Sequence, residues 1–183
     1  MGLSHEDRQR IQAALTAAEA RCQVHIAASV VPVSDRYALF PLVWAAAIAL
    51  VVGGALAIFQ SHLSLRMGFA AESASFVVFS VLFDWFPLRL RLVPKRIRHF
   101  HARVLAHREF AARILASHEL KGGILFFVSL GERYAEIIAD RDIHARVGTD
   151  TWNKIVADFV TAAKQGRIPD GIVSAIAACE GVL

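Results

Sequence analysis

Asp140 and Asp142, one on each side of Arg141, are the residues here whose type and spacing most readily do chemistry. Two carboxylates two positions apart offer hard oxygen ligands, so the pair could hold a divalent cation, calcium or magnesium. An ion at such a place serves phosphoryl chemistry by clamping charge and activating a water. That chemistry also needs a nucleophile or base and a cationic clamp. No convergent set of these is visible, so the catalytic residues stay unassigned. Asp35 is a further carboxylate, but strand direction decides whether it can join. If segments 23–31 and 124–130 run parallel, Asp35 falls near the 131–133 turn and Asp140 at the opposite end of the sheet. The plainer reading of Asp140 and Asp142 is an ordinary solvated turn.

The other chemical residue types are scattered. Of the eight histidines, His99, His101, His107 and His118 lie on or near one predicted helix, yet no two stand at the i, i+4 spacing that sets two imidazoles on one face. His25 and His144 are isolated. His107 differs only in falling on an apolar stripe. Cys22 and Cys179 are far apart in sequence and each sits in an apolar helical pattern, so the expectation is two reduced, packed thiols. Phosphate-binding glycine loops, dinucleotide fingerprints, Gly-x-Ser-x-Gly and zinc-protease motifs are absent.

Two apolar segments must position whatever site exists. The first runs from Tyr37 to Phe59 and carries no charge after Tyr37. A hydrocarbon layer of ~30 Å takes ~20 apolar residues, which this segment supplies. Tyr37 and Trp44 suit the interface, and Gly53-Gly54 among alanines permits close helix contact. The second runs from Phe69 to Phe86 and is bracketed by Glu72 and Asp84. These charges either sit at the two interfaces or the helix tilts and extends over Phe69 and Leu88. Asp84, beside Trp85, Pro87 and Arg89, reads as interfacial.

Charge then gives an orientation. Arg89, Arg91, Lys95, Arg96 and Arg98 follow the second segment and Arg36 precedes the first, while the connection between them holds only Arg66. Basic residues favour the cytoplasmic side, so both ends are expected there. The net charge of +4 then belongs beside anionic headgroups and not to nucleic-acid binding. Residues 1 to 36 are polar and periodic, unlike a secretion signal.

The remaining sequence reads as one α/β domain. Ser4 with Asp7 starts a helix whose stripe is Ile11, Leu15, Ala18 and Cys22. Residues 23–31 read as a strand. A helix from Arg96 to His118 carries Phe100, Val104, His107, Ala111 and Ile114 on one face and stops at Gly122-Gly123. Ile124 to Leu130 is a continuous apolar run, suited to a central strand covered on both faces. Gly131-Glu132-Arg133 turns the chain into a hairpin partner, 134–139. Asp140 to Asp142 reads as a loop. Thr149 or Asp150 caps a helix carrying Trp152, Ile155, Val156 and Phe159, and Asp170 caps a last one. Neither half has enough strands alone, so strand 23–31 joins the 124–139 hairpin. The expected fold is an α/β/α sandwich with a small mixed sheet, interrupted by a two-helix transmembrane hairpin. Residues 1–36 and 95–183 form the domain, and 37–94 form the hairpin and its flank.

Two stretches carry a resemblance: the first helix and strand ending in Ser34-Asp35-Arg36-Tyr37, and Gly123-Ile124-Leu125-Phe126-Phe127-Val128-Ser129-Leu130-Gly131-Glu132-Arg133-Tyr134-Ala135-Glu136-Ile137-Ile138-Ala139-Asp140 before a Trp-led helix. Together they resemble the TPM domain (TPM phosphatase-like) family, and its bacterial membrane members with a hairpin set into the domain. Leu90-Arg91-Leu92-Val93-Pro94-Lys95-Arg96 fits that subgroup too. The resemblance implies an α/β/α sandwich. In some members it implies acid phosphatase activity, or calcium held by loop aspartates. Where relatives commonly begin the strand with a Thr-x-Gly-Glu-Ile pattern, this chain has Cys22-Gln23-Val24-His25-Ile26, without the Glu.

The expected protein is therefore a multi-pass protein of the bacterial inner membrane with its folded domain on the cytoplasmic side. Its partners are the lipid bilayer and a membrane protein or further copies of itself, with no nucleic acid. Its expected role is an accessory or interaction module of a membrane complex or its maintenance; the alternative is a divalent-metal-dependent phosphatase of the TPM type, using Asp140 and Asp142.

Overall fold

The computed structural model describes residues 4–22, 24–35, 37–59, 64–85, 90–115 and 122–183. Expectations involving Gln23, Arg36, Phe86, Pro87, Leu88, Arg89 and His118 lie outside them. The chain divides into two compact units, Met1–Ser34 with His99–Leu183, and Asp35–Arg98.

The first unit opens with α1 (His5–Cys22). Its start is a reciprocal capping box: the Ser4 hydroxyl accepts the Asp7 amide N–H at 3.0 Å and the Asp7 carboxylate accepts the Ser4 N–H at 3.1 Å, satisfying two donors that a helix start leaves open. Ile11, Leu15 and Ala18 are buried, as their spacing requires. The strand β1 (His25–Val31) follows. After the hairpin segment come α4 (Lys95–Phe110), a π-helical turn (Ala111–Leu115), β2 (Gly123–Ser129) and β3 (Tyr134–Ala139). The chain ends in α5 (Arg141–Val147), α6 (Thr149–Lys164) and α7 (Ile168–Gly181).

The sheet has the order β1-β2-β3. β1 pairs parallel to β2, with His25 opposite Gly123 and Val31 opposite Ser129. β2 pairs antiparallel to β3, with Ser129 opposite Tyr134. Every residue of β2 is buried, because both faces are covered. Ile124, Phe126 and Val128 pack with Ile11, Leu15, Trp152, Phe159 and Ile176 from α1, α6 and α7. Phe126 meets Phe159 edge to face at 5.1 Å between ring centres. On the other face Leu125 and Phe127 pack with Ala27, Ala102, Ala106 and Ile114. Each large side chain so buried contributes ~1.5–3 kcal/mol.

Several local expectations change. The packed face of α4 is made by Ala102 and Ala106, small residues that let the helix axis come close to the sheet. Phe100 points away, 64% exposed, and His107 is exposed as well. Gly123 begins β2, and does so because a Cβ there would overlap the Ile114 side chain. Residues 141–147 are helical and not a loop. Gly148, at φ 83°, links α5 to α6, with no side-chain cap from Thr149 or Asp150. Asp170 lies in the first turn of α7 and pairs with Arg10 at 3.0 Å.

The second unit is α2 (Leu39–Phe59) packed on α3 (Leu65–Asp84). At 1.5 Å per residue each is about 30 Å long. Both are long and apolar enough to cross a membrane, and only 11% of the apolar window of α2, and none of that of α3, is buried. Leu39, Val43, Leu50, Val51, Ile58, Phe59, Leu65 and Phe69 all point outward. A core helix of a soluble protein would hide these side chains. The second helix starts at Leu65, before the expected Phe69, so Arg66 lies in its first turn and Glu72 lies inside it instead of bracketing it. The Glu72 carboxylate rests on Gly53 of α2, where an added Cβ would come within 2.9 Å of its oxygen.

Candidate functional site

The parallel pairing fixes what the acidic residues can do together. Asp140 follows β3 and sits beside the amino end of β2: its Oδ2 accepts the Gly123 N–H at 2.8 Å and its own N–H donates to the Gly123 carbonyl at 3.0 Å. Asp140 therefore holds the strand start, and it precedes α5 without capping it through its side chain. Asp142 is in the first turn of α5 and exposed. Among the described residues no group of three or more His, Cys, Asp or Glu side chains is placed to hold a metal.

At this same end of the sheet the strand-start Glu expected of relatives is replaced by His25. A carboxylate nevertheless reaches the position from α1. Glu19 meets His25 Nδ1 at 2.5 Å and accepts the Ile26 N–H at 3.0 Å.

The opposite end of the sheet carries a cluster that sequence patterning missed. Beyond Val31 and Ser129 the ladder continues for two rungs, with Leu130 N–H donating to Val31 O at 3.0 Å and Gly131 N–H to Pro32 O at 2.9 Å. Arg133, at φ 52°, then turns the chain into β3. This brings Glu132 back over the strand ends, 2% exposed. One carboxylate oxygen accepts the Ser34 N–H at 2.9 Å. The other accepts the Ser129 hydroxyl, and the Ser34 hydroxyl donates to Ser129 Oγ at 3.0 Å. A serine donating to a carboxylate is one element of an activated nucleophile. Here Ser129 is itself only 1% exposed, so the ring of bonds ties the exits of β1 and β2 together and does not face a substrate. Asp35 follows Ser34 directly. Asp140 lies ~20 Å away from the Ser34 end, the length of β2, so the two acidic ends form no single centre. Nothing in the sequence marked Glu132 except a charged residue in a tight turn, a pattern that is usually solvated.

On the other flank of the sheet Tyr134 donates to Glu136 at 2.7 Å, and Arg103 stands 3.6 Å from Glu136. Burial, then the bond to Glu136, pushes the Tyr134 phenol well above its ordinary range. The two cysteines are neighbours in space. Cys22 Sγ lies 3.8 Å from the Glu180 carbonyl, and burial followed by the nearness of Cys22 pushes the Cys179 thiol up to about 12.

In the second unit, a recess is lined by Ala38, Pro41, Leu42, Ser80, Val81, Leu82, Asp84 and Trp85. It is mostly apolar, with Asp84 beside Trp85, as an interfacial pair would be.

A three-stranded mixed sheet with helices on both faces defines an α/β/α sandwich. Residues 95–182 match the family model described as the TPM domain. The chain carries a TPM domain over those residues; the match starts after the hairpin, and the β1–β2 pairing shows that residues 25–31 join the same sheet. The fold is also similar to the NMR structure of BA42 protein from the psychrophilic bacterium Bizionia argentinensis, with a TM-score of 0.57 and 15% identity over 100% of this chain and 82% of that one. At that identity the likeness speaks for the fold alone. No curated protein matches the chain.

Proposed function

We propose that this chain is an integral membrane protein whose TPM domain serves as an accessory or interaction module of a membrane complex. The observation that carries the reading is the outward apolar surface of α2 and α3. Large apolar side chains at that density belong in lipid or against another membrane segment. The excess of Lys and Arg on the flanks of the hairpin supports a cytoplasmic domain at the bacterial inner membrane. The lack of an exposed nucleophile, base and clamp in one place, among the described residues, favours binding over catalysis. A cation on Asp140 and Asp142 is a separate proposal, supported only by the exposure of Asp142.

The test is topological. A reporter fused after Leu183 and a second inserted at His62 are expected to report opposite sides of the membrane. Matching sides would overturn the hairpin. The chain purified in mild detergent is then expected to run as a stoichiometric assembly, and a monomer recovered alone would count against the accessory role.

A further inference from the structure

We propose that the exposed arc of α4 is a docking surface for anionic phospholipid headgroups, a reading that rests on the membrane anchoring proposed above. Between Lys95 and Arg108 the helix carries five Lys or Arg residues, Lys95, Arg96, Arg98, Arg103 and Arg108, and no carboxylate. Ala102 and Ala106 take the sheet side. Arg96, Phe100, Arg103 and His107 are exposed, and at 100° per residue they share a stripe about 60° wide beside the alanine face; on its sheet-side edge His99 meets the Tyr134 ring and Arg103 stands 3.6 Å from Glu136. Lys95 and Arg108 flank it, both exposed.

Charge alone would fit any polyanion. Two observations choose the bilayer. Phe100 stands in the middle of the arc, 64% exposed, which gains nothing from a solvated phosphate backbone but fits the boundary between headgroups and acyl chains. Only residues 85–94 separate α4 from the end of α3, so a hairpin in the membrane tethers the start of this helix within about 35 Å of the surface. Lys and Arg stems reach past an apolar centre to phosphate while Phe100 enters. Such a contact is electrostatic in part and weakens with salt.

The full chain carrying Phe100→Cys, labelled with an environment-sensitive fluorophore, is placed in nanodiscs of phosphatidylcholine alone or with about one third phosphatidylglycerol. The unsubstituted chain is the labelling blank, since Cys179 is buried and Cys22 part-buried. The anionic discs are expected to blue-shift the label and shield it from a soluble quencher. Salt at ~0.5 M, or Lys95→Glu with Arg96→Glu, should abolish both effects. A label at Lys154→Cys, on α6, should not respond. Equal spectra in the two discs, or a shift produced by added single-stranded RNA in place of the anionic lipid, overturns the proposal. Alkaline carbonate extraction of the chain from native membranes overturns the anchored reading separately; the extracted chain must then still show the shift on vesicles of the same composition.

Discussion

Removing the Glu132 side chain is expected to cost more than any surface change in the domain. Glu132→Ala takes away the acceptor of the Ser34 N–H and of the Ser129 hydroxyl, both next to buried strand ends. A hydrogen bond to a charged group is worth ~1.5–3 kcal/mol, and a buried donor left without a partner keeps its desolvation penalty. The two bonds together give ~3–5 kcal/mol. For a unit of this size, 1 kcal/mol moves the melting temperature by ~4 °C, so Glu132→Ala should lower it by ~12–20 °C. Glu132→Gln keeps the shape and one acceptor, and should lose ~1–2 kcal/mol. The assay is thermal unfolding of the full chain in mild detergent, followed by far-ultraviolet circular dichroism and by aromatic fluorescence. Ser129→Ala completes a double-mutant cycle with Glu132→Ala, and the two should be coupled by ~1 kcal/mol or more. A Glu132→Ala melting point within ~2 °C of the parent, or additive losses in the cycle, would refute the latch.

Gly123→Ala forces a Cβ onto Ile114 and to within 3.1 Å of the His25 carbonyl; overpacking of this kind costs ~1–3 kcal/mol, and an unchanged melt would show that the π-helical turn simply moves aside. The raised Cys179 pKa, about 12 against an ordinary 9.0, leaves less thiolate below it, so at pH 8 iodoacetamide should modify Cys179 ~1000-fold more slowly than an unperturbed thiol. Cys22, raised less by burial and Glu180, should react between the two; equal rates measured by mass spectrometry would contradict the packing of α1 on α7. If the aspartate pair holds a cation, millimolar calcium raises the melting temperature and Asp142→Ala removes the rise. A rise that survives Asp142→Ala places the ion elsewhere, and the absence of any rise ends the cation reading.

What the sequence made legible was set by range of interaction. The capping box at Ser4, the stripe of α1, the unbroken apolar run of β2 and its return through β3 are local patterns, and each appears where the pattern puts it. The union of β1 with β2 also followed, because neither half can cover its strands alone. The packed face of α4 did not. Hydrophobicity favoured Phe100 and Val104, whereas close approach to a sheet favours the small side chains of Ala102 and Ala106. Asp140 to Asp142 read as a loop because acids and an arginine are common in turns, yet an acid in the first turn of α5 suits a helix start. Glu132 was the hardest to read. Its burial depends on Ser34, 98 residues away in sequence, and no window of neighbouring residues contains both.

That same separation sets a clock. At ~5–20 residues per second, the ribosome needs roughly 5–20 s between making β1 and making the strand that pairs with it. During this interval α1 and β1 are finished but have no sheet to join, and in the membrane reading proposed above the hairpin enters the bilayer in the same interval. The parallel pair can close only if both strands end on one side of the membrane, which an even number of crossings guarantees and a failed second insertion forbids. Closure of the domain would thus act as a proofreading step for insertion: chains with a misplaced α3 would be left with an open strand edge, the state that quality-control proteases recognise and aggregation exploits.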